Sequence, residues 1–556
     1  MSNDKSSRRA FLAGTGIGVL GTALGAAAQK VQAHVALLGH AEPRDRGATG
    51  ANAVPAGQAG GAHEAPNSYN VRAFGAQGDG KALDTPAINK AIEAAASAGG
   101  GRVRFPAGSY LCFSLRLKNN IALCLDPGAA IVAADSPSNR IGYDLAEPNQ
   151  WDQYQDFGHS HWHNSLIWGE GLENVSILGP GLIWGRGLSR GYGTGLAAEL
   201  PGVGNKAIAL KNCRNVNLRD FSVLHGGHFA ILATGVDNFT IDNLKIDTNR
   251  DGIDIDCCRN VRVSNCSVNS PWDDAICLKS SYGLGYAKAT EIVTITNCYV
   301  TGGYEEGTLL DATYKRLISD SHAFRTGRIK FGTESNGGFK RVTISNCVFE
   351  DCHGLALETV DGGLLEDVTV TNLTMRDIAS APIFLRLGSR LRGPAGTHVG
   401  EFRRISINDV IVSNAASRYA SIISGIPGHY IEDIRLSDIY IQQQGGGTWD
   451  SAFIHPPEME NEYPEPTMFG TMPAYALYVR HAKGIKLSNI QTRSSKEDMR
   501  PAFILEDVLN ADFFQVDAQH APGAPAFVLE NVTGFSVSQS TPVPDTRLAH
   551  VDKKTL

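Results

Sequence analysis

The chain has 556 residues, of which 42% are hydrophobic and 19% are charged, and its formal net charge is -7. This hydrophobic content is sufficient for a large core and excludes a disordered chain. The 61 glycines and 24 prolines indicate a turn-rich β protein rather than a helical one. The mild acidity and the lack of basic runs argue against nucleic acid or an anionic membrane surface as a partner.

The N-terminal segment is predicted to direct export. Arg8 and Arg9 precede an apolar stretch rich in Gly and Ala, and this pattern resembles a twin-arginine signal peptide, which we predict for residues 1–33. A chance arginine pair before a membrane anchor is the alternative. Residues 34–68 are rich in Ala, Gly and Pro and are predicted to be a disordered linker. We therefore expect a protein of the bacterial periplasm or a secreted one.

One clear helical pattern lies near the start of the predicted folded domain, which covers residues 69–540. Within residues 85–98 the apolar side chains follow helical spacing, and a run of three glycines ends the window. The apolar positions are Ile88, Ala91, Ile92 and Ala95. Short strand-like segments dominate after this window, and residues 541–556 are predicted to be a C-terminal tail.

The strand-like segments form a repeat of Asn, apolar, any, apolar, any, Asn or Asp, apolar. Clear copies begin at Asn215, Asn238 and Asn260, which are 23 and 22 residues apart. A period in the low twenties is typical of a β-solenoid, in which Asn occupies bends that need left-handed backbone geometry. The sequence therefore predicts a parallel β-helix with an N-terminal capping helix. A sandwich or a propeller fits the irregular insert lengths less well.

Counting along the repeat assigns four cysteines to the same position: Cys213, Cys266, Cys298 and Cys347. We predict that they form a stack of small buried side chains rather than disulfide bridges. No pair of cysteines has the spacing of zinc ligands, so a zinc site is not expected.

Acidic residues gather on two successive coils of the predicted solenoid. Asp251 and Asp254 lie on one coil, and the pair Asp273-Asp274 lies on the next. Asp251 and Asp273 are 22 residues apart, so we expect them one rung apart, or about 4.8 Å. Such a cluster raises the pKa of its members. Hydrolysis of a glycosidic bond needs one protonated carboxyl and one ionised carboxylate. Calcium binding and ordinary turn residues are the alternatives.

These coils resemble a known family. The segments 251–254 (DGID), 258–266 (CRNVRVSNC) and 273–280 (DDAICLKS) are similar to the central block of glycoside hydrolase family 28, the polygalacturonase and rhamnogalacturonase family. The segment 71–81 is similar to the entry to its β-helix. The resemblance implies an all-β, single-stranded right-handed parallel β-helix and an inverting hydrolase that needs no metal or other cofactor. It also implies that Asp273 is the general acid and that Asp251 and Asp274 activate water.

The basic motifs of the family are altered. Its polygalacturonases carry Gly-His-Gly and then Arg-Ile-Lys on later coils; here the first is missing, and Arg328-Ile329-Lys330 lies one coil early by counting. We predict that Arg328 and Lys330 bind a substrate carboxylate, with an exposed charged pair as the alternative. Glu358 is predicted to bind sugar hydroxyls or to pair with Arg328. The altered motif argues against plain polygalacturonan as the substrate and leaves a decorated or mixed pectin as an alternative.

Further predictions concern the surroundings of the acids. Arg250 and Lys279 are expected to make the groove locally basic, and His228 is expected to line the cleft with the histidines of residues 159–163. Trp184 and Trp272 are sugar platforms or core residues. Long inserts at 280–290, 302–326, 389–400 and 442–473 are expected to wall the groove, which would favour cutting from chain ends.

The sequence thus predicts a metal-independent hydrolase that acts on a pectic polysaccharide or oligosaccharide and is a monomer. A calcium-dependent, pectate-lyase-like β-elimination enzyme and a non-catalytic carbohydrate-binding solenoid are the alternatives.

Overall fold

The computed structural model describes residues 67–136, 142–191, 198–316 and 325–556. The predicted signal peptide and nearly all of the predicted linker lie outside these residues. Within them, 34 strands form one continuous sheet that winds into a solenoid, and nearly all neighbouring strands run parallel. The predicted parallel β-helix is therefore confirmed.

Strands of successive coils lie above one another in three stacks, which we call A, B and C. Stack A consists of β5 (Leu115–Arg116), β8 (Ile167–Glu170), β11 (Lys206–Lys211), β14 (Phe229–Thr234), β17 (Asp251–Asp256), β20 (Ile276–Ser280), β25 (Ile329–Ser335), β27 (Leu355–Thr359), β29 (Ile383–Leu387) and β31 (Ser421–Ser424). Stack B begins with β1 (Ser68–Asn70), β3 (Gly101–Phe105), β6 (Ile121–Leu125), β9 (Glu173–Leu178), β12 (Arg214–Arg219), β15 (Asp237–Asp242), β18 (Arg259–Ser264) and β21 (Thr290–Thr296).

Stack C begins with β2 (Asp79–Leu83), β4 (Gly108–Cys112), β7 (Ala129–Ala133), β10 (Leu182–Trp184), β13 (Ser222–Leu224), β16 (Lys245–Asp247), β19 (Ser267–Asn269) and β22 (Tyr299–Thr301). Longer strands then run from one stack into the next; these are β26 (Phe339–Glu350), β28 (Leu364–Arg376), β30 (Glu401–Ala415), β32 (Ile431–Gly445), β33 (Leu477–Lys496), β34 (Phe503–Ala518) and β35 (Phe527–Ser538). A separate antiparallel hairpin is made by β23 (Tyr304–Glu306) and β24 (Lys315–Arg316).

The core lies inside the coil and is built from ladders of equivalent residues. In stack A, Ile208 pairs with Ile231, Ile231 with Ile253, Ile253 with Ile276, and Ile276 with Ile329. All five are fully buried. Alternate residues of each strand point the other way, so the inner face is apolar while the outer face of stack A is free to carry polar side chains.

Asparagines hold the bends, as predicted. Asn174, Asn215, Asn238 and Asn260 all have φ between 55° and 57°, in the left-handed region that Asn tolerates better than most residues. The side-chain Nδ2 of each donates to the side-chain Oδ1 of the asparagine on the coil before it. The distance is 3.0 Å from Asn215 to Asn174 and 2.8 Å from Asn260 to Asn238. The polar row therefore stabilises the stacking of coils from outside the core.

The cysteine stack is partly as predicted. Cys266, Cys298 and Cys347 lie on successive coils at one position, as the flanking register shows, and all are buried. The prediction that Cys213 belongs to this stack is wrong. Cys213 precedes β12 and aligns with Val236 and Cys258 on the following coils. The repeat has two bends per coil with similar sequences, and counting assigned Cys213 to the wrong one. All ten cysteines are free.

Two elements cover the ends of the coil. The predicted capping helix is α1 (Thr85–Ser97), and its four predicted apolar positions, Ile88, Ala91, Ile92 and Ala95, are fully buried. The segment expected to be a tail instead forms β36 (Thr546–Thr555), which pairs antiparallel with β35. Short 3-10 helices span Val71–Phe74, Asp152–Tyr154, Asp450–Phe453 and Pro466–Phe469. Among the described residues, no helix has the length and apolar character needed to cross a membrane.

Candidate active site

Three carboxylates converge where the coil enters stack A. Asp251 is the first residue of β17, and Asp273 and Asp274 lie just before β20 on the next coil. Each of the three has an oxygen within 4.8 Å of an oxygen of the other two. Asp251 and Asp274 are 2% exposed, whereas a quarter of the Asp273 side chain is accessible. The predicted acid cluster is therefore present in the structure.

The rung partner of Asp251 differs from the predicted one. Ile253 pairs with Ile276, an offset of 23 residues, so Asp251 stands level with Asp274 rather than with Asp273. The backbone N–H of Asp274 donates to Asp251 Oδ1 at 3.3 Å. Gly252 permits this approach, because a Cβ there would lie 2.4 Å from the carbonyl oxygen of Ala275. The prediction assumed a coil of 22 residues, but the coil between β17 and β20 has 23.

The electrostatic surroundings shift the pKa values of Asp251 and Asp274 in opposite directions. Burial and the charges of Asp254, Asp273 and Asp274 raise the pKa of Asp251 well above its ordinary value. Burial would also raise the pKa of Asp274, but the nearby cations Lys330, Arg328 and Lys279 outweigh it and hold that pKa below its ordinary range. The site therefore favours a protonated Asp251 beside an ionised Asp274, whereas the sequence assignment had both as water-activating groups.

Arg250 holds the most accessible acid. Its guanidinium Nη2 lies 2.7 Å from Asp273 Oδ2. Arg250 immediately precedes Asp251 at the start of β17, so one short segment supplies both a carboxyl of the cluster and the cation on its neighbour. The predicted contribution of Arg250 to the groove is thus a contact with an acid of the cluster.

Arg328 lies between two carboxylates. It precedes β25, the strand of stack A that follows β20, so it sits one coil beyond Asp274. Its Nε lies 2.7 Å from Asp274 Oδ1, and its Nη1 and Nη2 both donate to the carboxylate of Glu465. Arg328 is 1% exposed. The alternative of an exposed charged pair is therefore wrong.

Lys330 connects the cluster with Glu358. Its Nζ lies 3.4 Å from Asp274 Oδ2 and 3.8 Å from Glu358 Oε2, and it donates to the Tyr463 hydroxyl at 3.1 Å. Glu358 in β27 is completely buried, and burial raises its pKa to about 8. In the structure Glu358 thus faces Lys330 as a carboxyl that stays protonated below about pH 8, while Glu465 takes the place beside Arg328 that the sequence offered to Glu358.

A second group of charges lies further along the outer face of stack A. Lys279 Nζ is 3.9 Å from Asp254 Oδ2 and 3.6 Å from Glu334 Oε2, and all three side chains are at least nine-tenths buried. His159 Nε2 lies 3.5 Å from Asp254 Oδ2. His228 packs its ring against Phe229, with 4.4 Å between centroids, and burial lowers the pKa of its imidazole. These residues line the same face as the three acids.

Among the residues that the structure describes, two sets of ligand atoms have the spacing of a metal site. One is His159, Asp251 and Asp254, and the other is Asp251, Asp273 and Asp274. Each set already has a protein cation against it: Lys279 beside Asp254, and Arg328 and Lys330 beside Asp274. These side chains supply the positive charge that a divalent ion would otherwise bring, so the donor sets fit a metal poorly.

Two loops cover this face. Residues 446–476, between β32 and β33, form a long loop that we call the strap, and it brings Tyr463 and Glu465 to the site. Residues 388–400 bring Arg392, which contacts Asp156 at 2.6 Å and Glu334 at 2.8 Å. Two of the four predicted inserts, 389–400 and 442–473, thus reach the groove. The particular loop residues were missed, because an irregular segment has no periodicity that assigns a side chain to a rung.

The two tryptophans differ in their surroundings. Trp184, in β10, is 6% exposed and packs with Ala130, Val132 and Leu224 in a small apolar cluster that is separate from the main core. Trp272, half-buried, immediately precedes Asp273 and donates its backbone N–H to the carbonyl oxygen of Asn249.

Comparisons with known proteins show which families the chain is similar to. Residues 206–372 match the family model described as "Right handed beta helix region", and residues 68–177 match "Rhamnogalacturonase A/epimerase, pectate lyase-like". The fold is similar to that of a family 28 exopolygalacturonase from Yersinia enterocolitica, with a TM-score of 0.59 at 19% identity, over 82% of this chain and 79% of that one. The right-handed β-helix expected from the resemblance is confirmed.

The two similar proteins of known name that follow are both named as enzymes that act on polygalacturonate. A probable polygalacturonase of Vitis vinifera is 24% identical over 403 residues, which cover 67% of this chain and 74% of that protein. An exo-poly-alpha-D-galacturonosidase of Dickeya chrysanthemi is 32% identical over 126 residues, or 22% of this chain and 20% of that protein. The resemblance to polygalacturonases that the motifs suggested is thereby confirmed.

Proposed function

We propose that the protein is a glycoside hydrolase that cleaves glycosidic bonds in a pectic, galacturonic-acid-containing polysaccharide or oligosaccharide. The observation that carries this proposal is the convergence of Asp251, Asp273 and Asp274 at one point of the outer face, with opposite pKa shifts on two of them. Relatives named polygalacturonase support the substrate class.

The three acids take different roles in this proposal. Asp273 donates the proton to the leaving oxygen, because it alone of the three is substantially accessible. Asp274, kept ionised by Arg328 and Lys330, is the base that activates water. Asp251 is a protonated neighbour that orients this water. The role of Asp273 agrees with the resemblance, and the role of Asp251 is revised from it.

Inversion at the anomeric carbon is part of the proposal and has its own test. Carboxyl groups of inverting enzymes are about 6.5–9.5 Å apart, to leave room for water. Here the oxygens of the cluster approach to within 4.8 Å. Proton NMR of the first product formed, before mutarotation, reports whether the anomeric configuration is inverted or retained.

The test of the activity is the release of reducing sugar from a panel of pectic polymers. Wild type, Asp273→Asn and the matched control Asp552→Asn, whose side chain is 99% exposed, are compared with and without chelator. Activity that survives chelator, persists in Asp552→Asn and is lost in Asp273→Asn supports the hydrolase. Chelator-sensitive formation of an ultraviolet-absorbing unsaturated product contradicts it and indicates a lyase.

Export and assembly are further parts of the proposal. The paired Arg8 and Arg9 support twin-arginine export. Replacing both with Lys should retain the protein in the cytoplasm, which cell fractionation measures. The monomeric state is tested by sedimentation velocity.

A further inference from the structure

The cations on the outer face of stack A are already matched by acids of the chain. Lys279 faces Asp254 and Glu334, and Lys330 faces the ionised Asp274. A substrate carboxylate that entered here would meet cations whose charge is already compensated. It would also lie close to carboxylates of the same sign, which disfavours an ionised ligand.

Arg328 shows this most directly. The sequence made it the expected partner of a substrate carboxylate, and a bidentate contact is the usual way in which Arg binds one. In the structure both terminal nitrogens of Arg328 donate to Glu465, while Nε faces Asp274. Glu465 thus occupies the position that a galacturonate carboxylate would take. About a quarter of the Glu465 side chain is exposed, so it lies between Arg328 and the solvent.

The strap that carries Glu465 is fixed on both sides of it. Before Glu465, Arg480 donates to the carbonyl oxygens of Pro456 and Pro457, and Arg386 donates to those of Glu458 and Met459. These two arginines are 1% exposed.

After Glu465, the buried ring of Phe469 lies 5.3 Å from the guanidinium carbon of Arg386 and 5.4 Å from that of Arg480. Met472 then donates its N–H to the carbonyl oxygen of Arg418 at 3.0 Å. These contacts fix the strap on both sides of Glu465, and the two hydrogen bonds from Arg328 hold its carboxylate in the site.

We propose that Glu465 is a specificity residue that neutralises Arg328, so that the sugar unit bound against Arg328 is uncharged, either a neutral sugar or a galacturonic acid whose carboxyl is esterified. This inference rests on the proposed function and narrows its substrate class. Unesterified homogalacturonan is then a poor substrate, because each of its units brings a carboxylate to this position.

The test compares trigalacturonate with its methyl ester, in which each carboxylate is replaced by an uncharged group that is larger by one methyl. Wild type, Glu465→Gln and the control Glu462→Gln, which changes an exposed acid on the same strap, are assayed on both. We expect wild type to have at least a tenfold higher kcat/KM on the ester. Glu465→Gln should raise kcat/KM on trigalacturonate about tenfold, and Glu462→Gln should behave as wild type. A wild-type preference for trigalacturonate, or an unchanged ratio in Glu465→Gln, overturns the proposal.

Binding separates this inference from the proposed hydrolysis. Isothermal titration of the same proteins with the two trisaccharides requires no turnover. If neither compound is hydrolysed, the hydrolase proposal loses support, while about tenfold tighter binding of trigalacturonate by Glu465→Gln than by wild type still supports the role of Glu465. Equal binding overturns it. Glu465→Ala, with the thermal midpoint of each variant, provides a second substitution in case Gln perturbs the folding of the strap.

Discussion

The backbone N–H of Asp274 donates to Asp251 Oδ1 at 3.3 Å, so the carboxyl whose pKa is raised lies against the backbone of the residue whose pKa is lowered. The cause of the difference is the position of the cations. Arg328 and Lys330, on the coil beyond Asp274, contact that carboxylate directly. Asp251, which favours a proton, and Asp274, which favours a negative charge, are therefore only one rung of the solenoid apart.

The identity of the general acid can be decided by the leaving group. Asp273→Asn should lower kcat/KM on a pectic polymer by about 10²–10⁴-fold, the usual contribution of general acid catalysis. A galacturonide with an activated aryl leaving group needs no proton, so this variant should retain most of its activity on that compound. Asp251→Asn should lose activity on both substrates. Release of the aryl group, followed by absorbance, measures this; rescue of Asp251→Asn alone would assign the proton to Asp251.

Glu358 should make stability fall as the pH rises. Its ordinary pKa is 4.5 and its folded value is about 8, so between these values the unfolded chain is ionised and the folded one is protonated. The contribution of the buried carboxyl is therefore fully present below pH 4.5 and is lost as the pH rises through 8. Glu358→Gln keeps the shape but cannot ionise.

The measurement is the thermal midpoint of wild type and Glu358→Gln at intervals from pH 4.5 to 9. We expect the wild-type midpoint to fall relative to that of the variant across this window and the difference to level off above pH 8. The difference isolates Glu358 from the other titrating groups. Parallel curves would show that the folded carboxyl titrates normally.

Arg480 should determine the order of the strap. Arg480→Met removes the donor to the carbonyl oxygens of Pro456 and Pro457, and each buried carbonyl left without a partner costs about 1–3 kcal/mol. Proteolysis within residues 446–476 should become faster and the thermal midpoint should fall. The control is Arg435→Met, which changes an exposed arginine of β32. Equal proteolysis rates in the two variants would contradict the anchoring role.

The asparagine row should contribute measurably to stability. Asn238 has a φ of 56°, donates to Asn215 Oδ1 at 3.0 Å and accepts from Asn260 at 2.8 Å. Asn238→Ala loses these bonds and also forces an alanine into left-handed geometry, at a cost of about 1–2 kcal/mol. Asn238→Gly loses only the bonds. The thermal midpoint should fall more for Ala than for Gly, and the reverse order would show that backbone strain is not the dominant effect.

The coil and its core were predictable because they repeat. Asn215, Asn238 and Asn260 gave the period, and the period placed Asp251 beside the pair 273–274. The same averaging caused the errors. One coil has 23 residues rather than 22, which moves the rung partner of Asp251 to Asp274, and the similarity of two bends misplaced Cys213.

The covering of the site could not be predicted in this way. Glu465 lies 137 residues after its partner Arg328, in a loop with several prolines and no strand pattern. Its position is set by Arg386 in stack A and by Arg480 in the part of β33 that pairs with stack A. Both point outward and look from the sequence like exposed charges. Only the folded chain shows that they are buried beneath the strap.

The reversed last strand has a consequence for association between molecules. β36 pairs antiparallel with β35 and carries exposed charged side chains at Asp552, Lys553 and Lys554. A second molecule that met this end could not continue the parallel winding, and charged edge strands resist pairing with another chain. Growth into fibres across β35 is therefore opposed by the ten-residue strand β36.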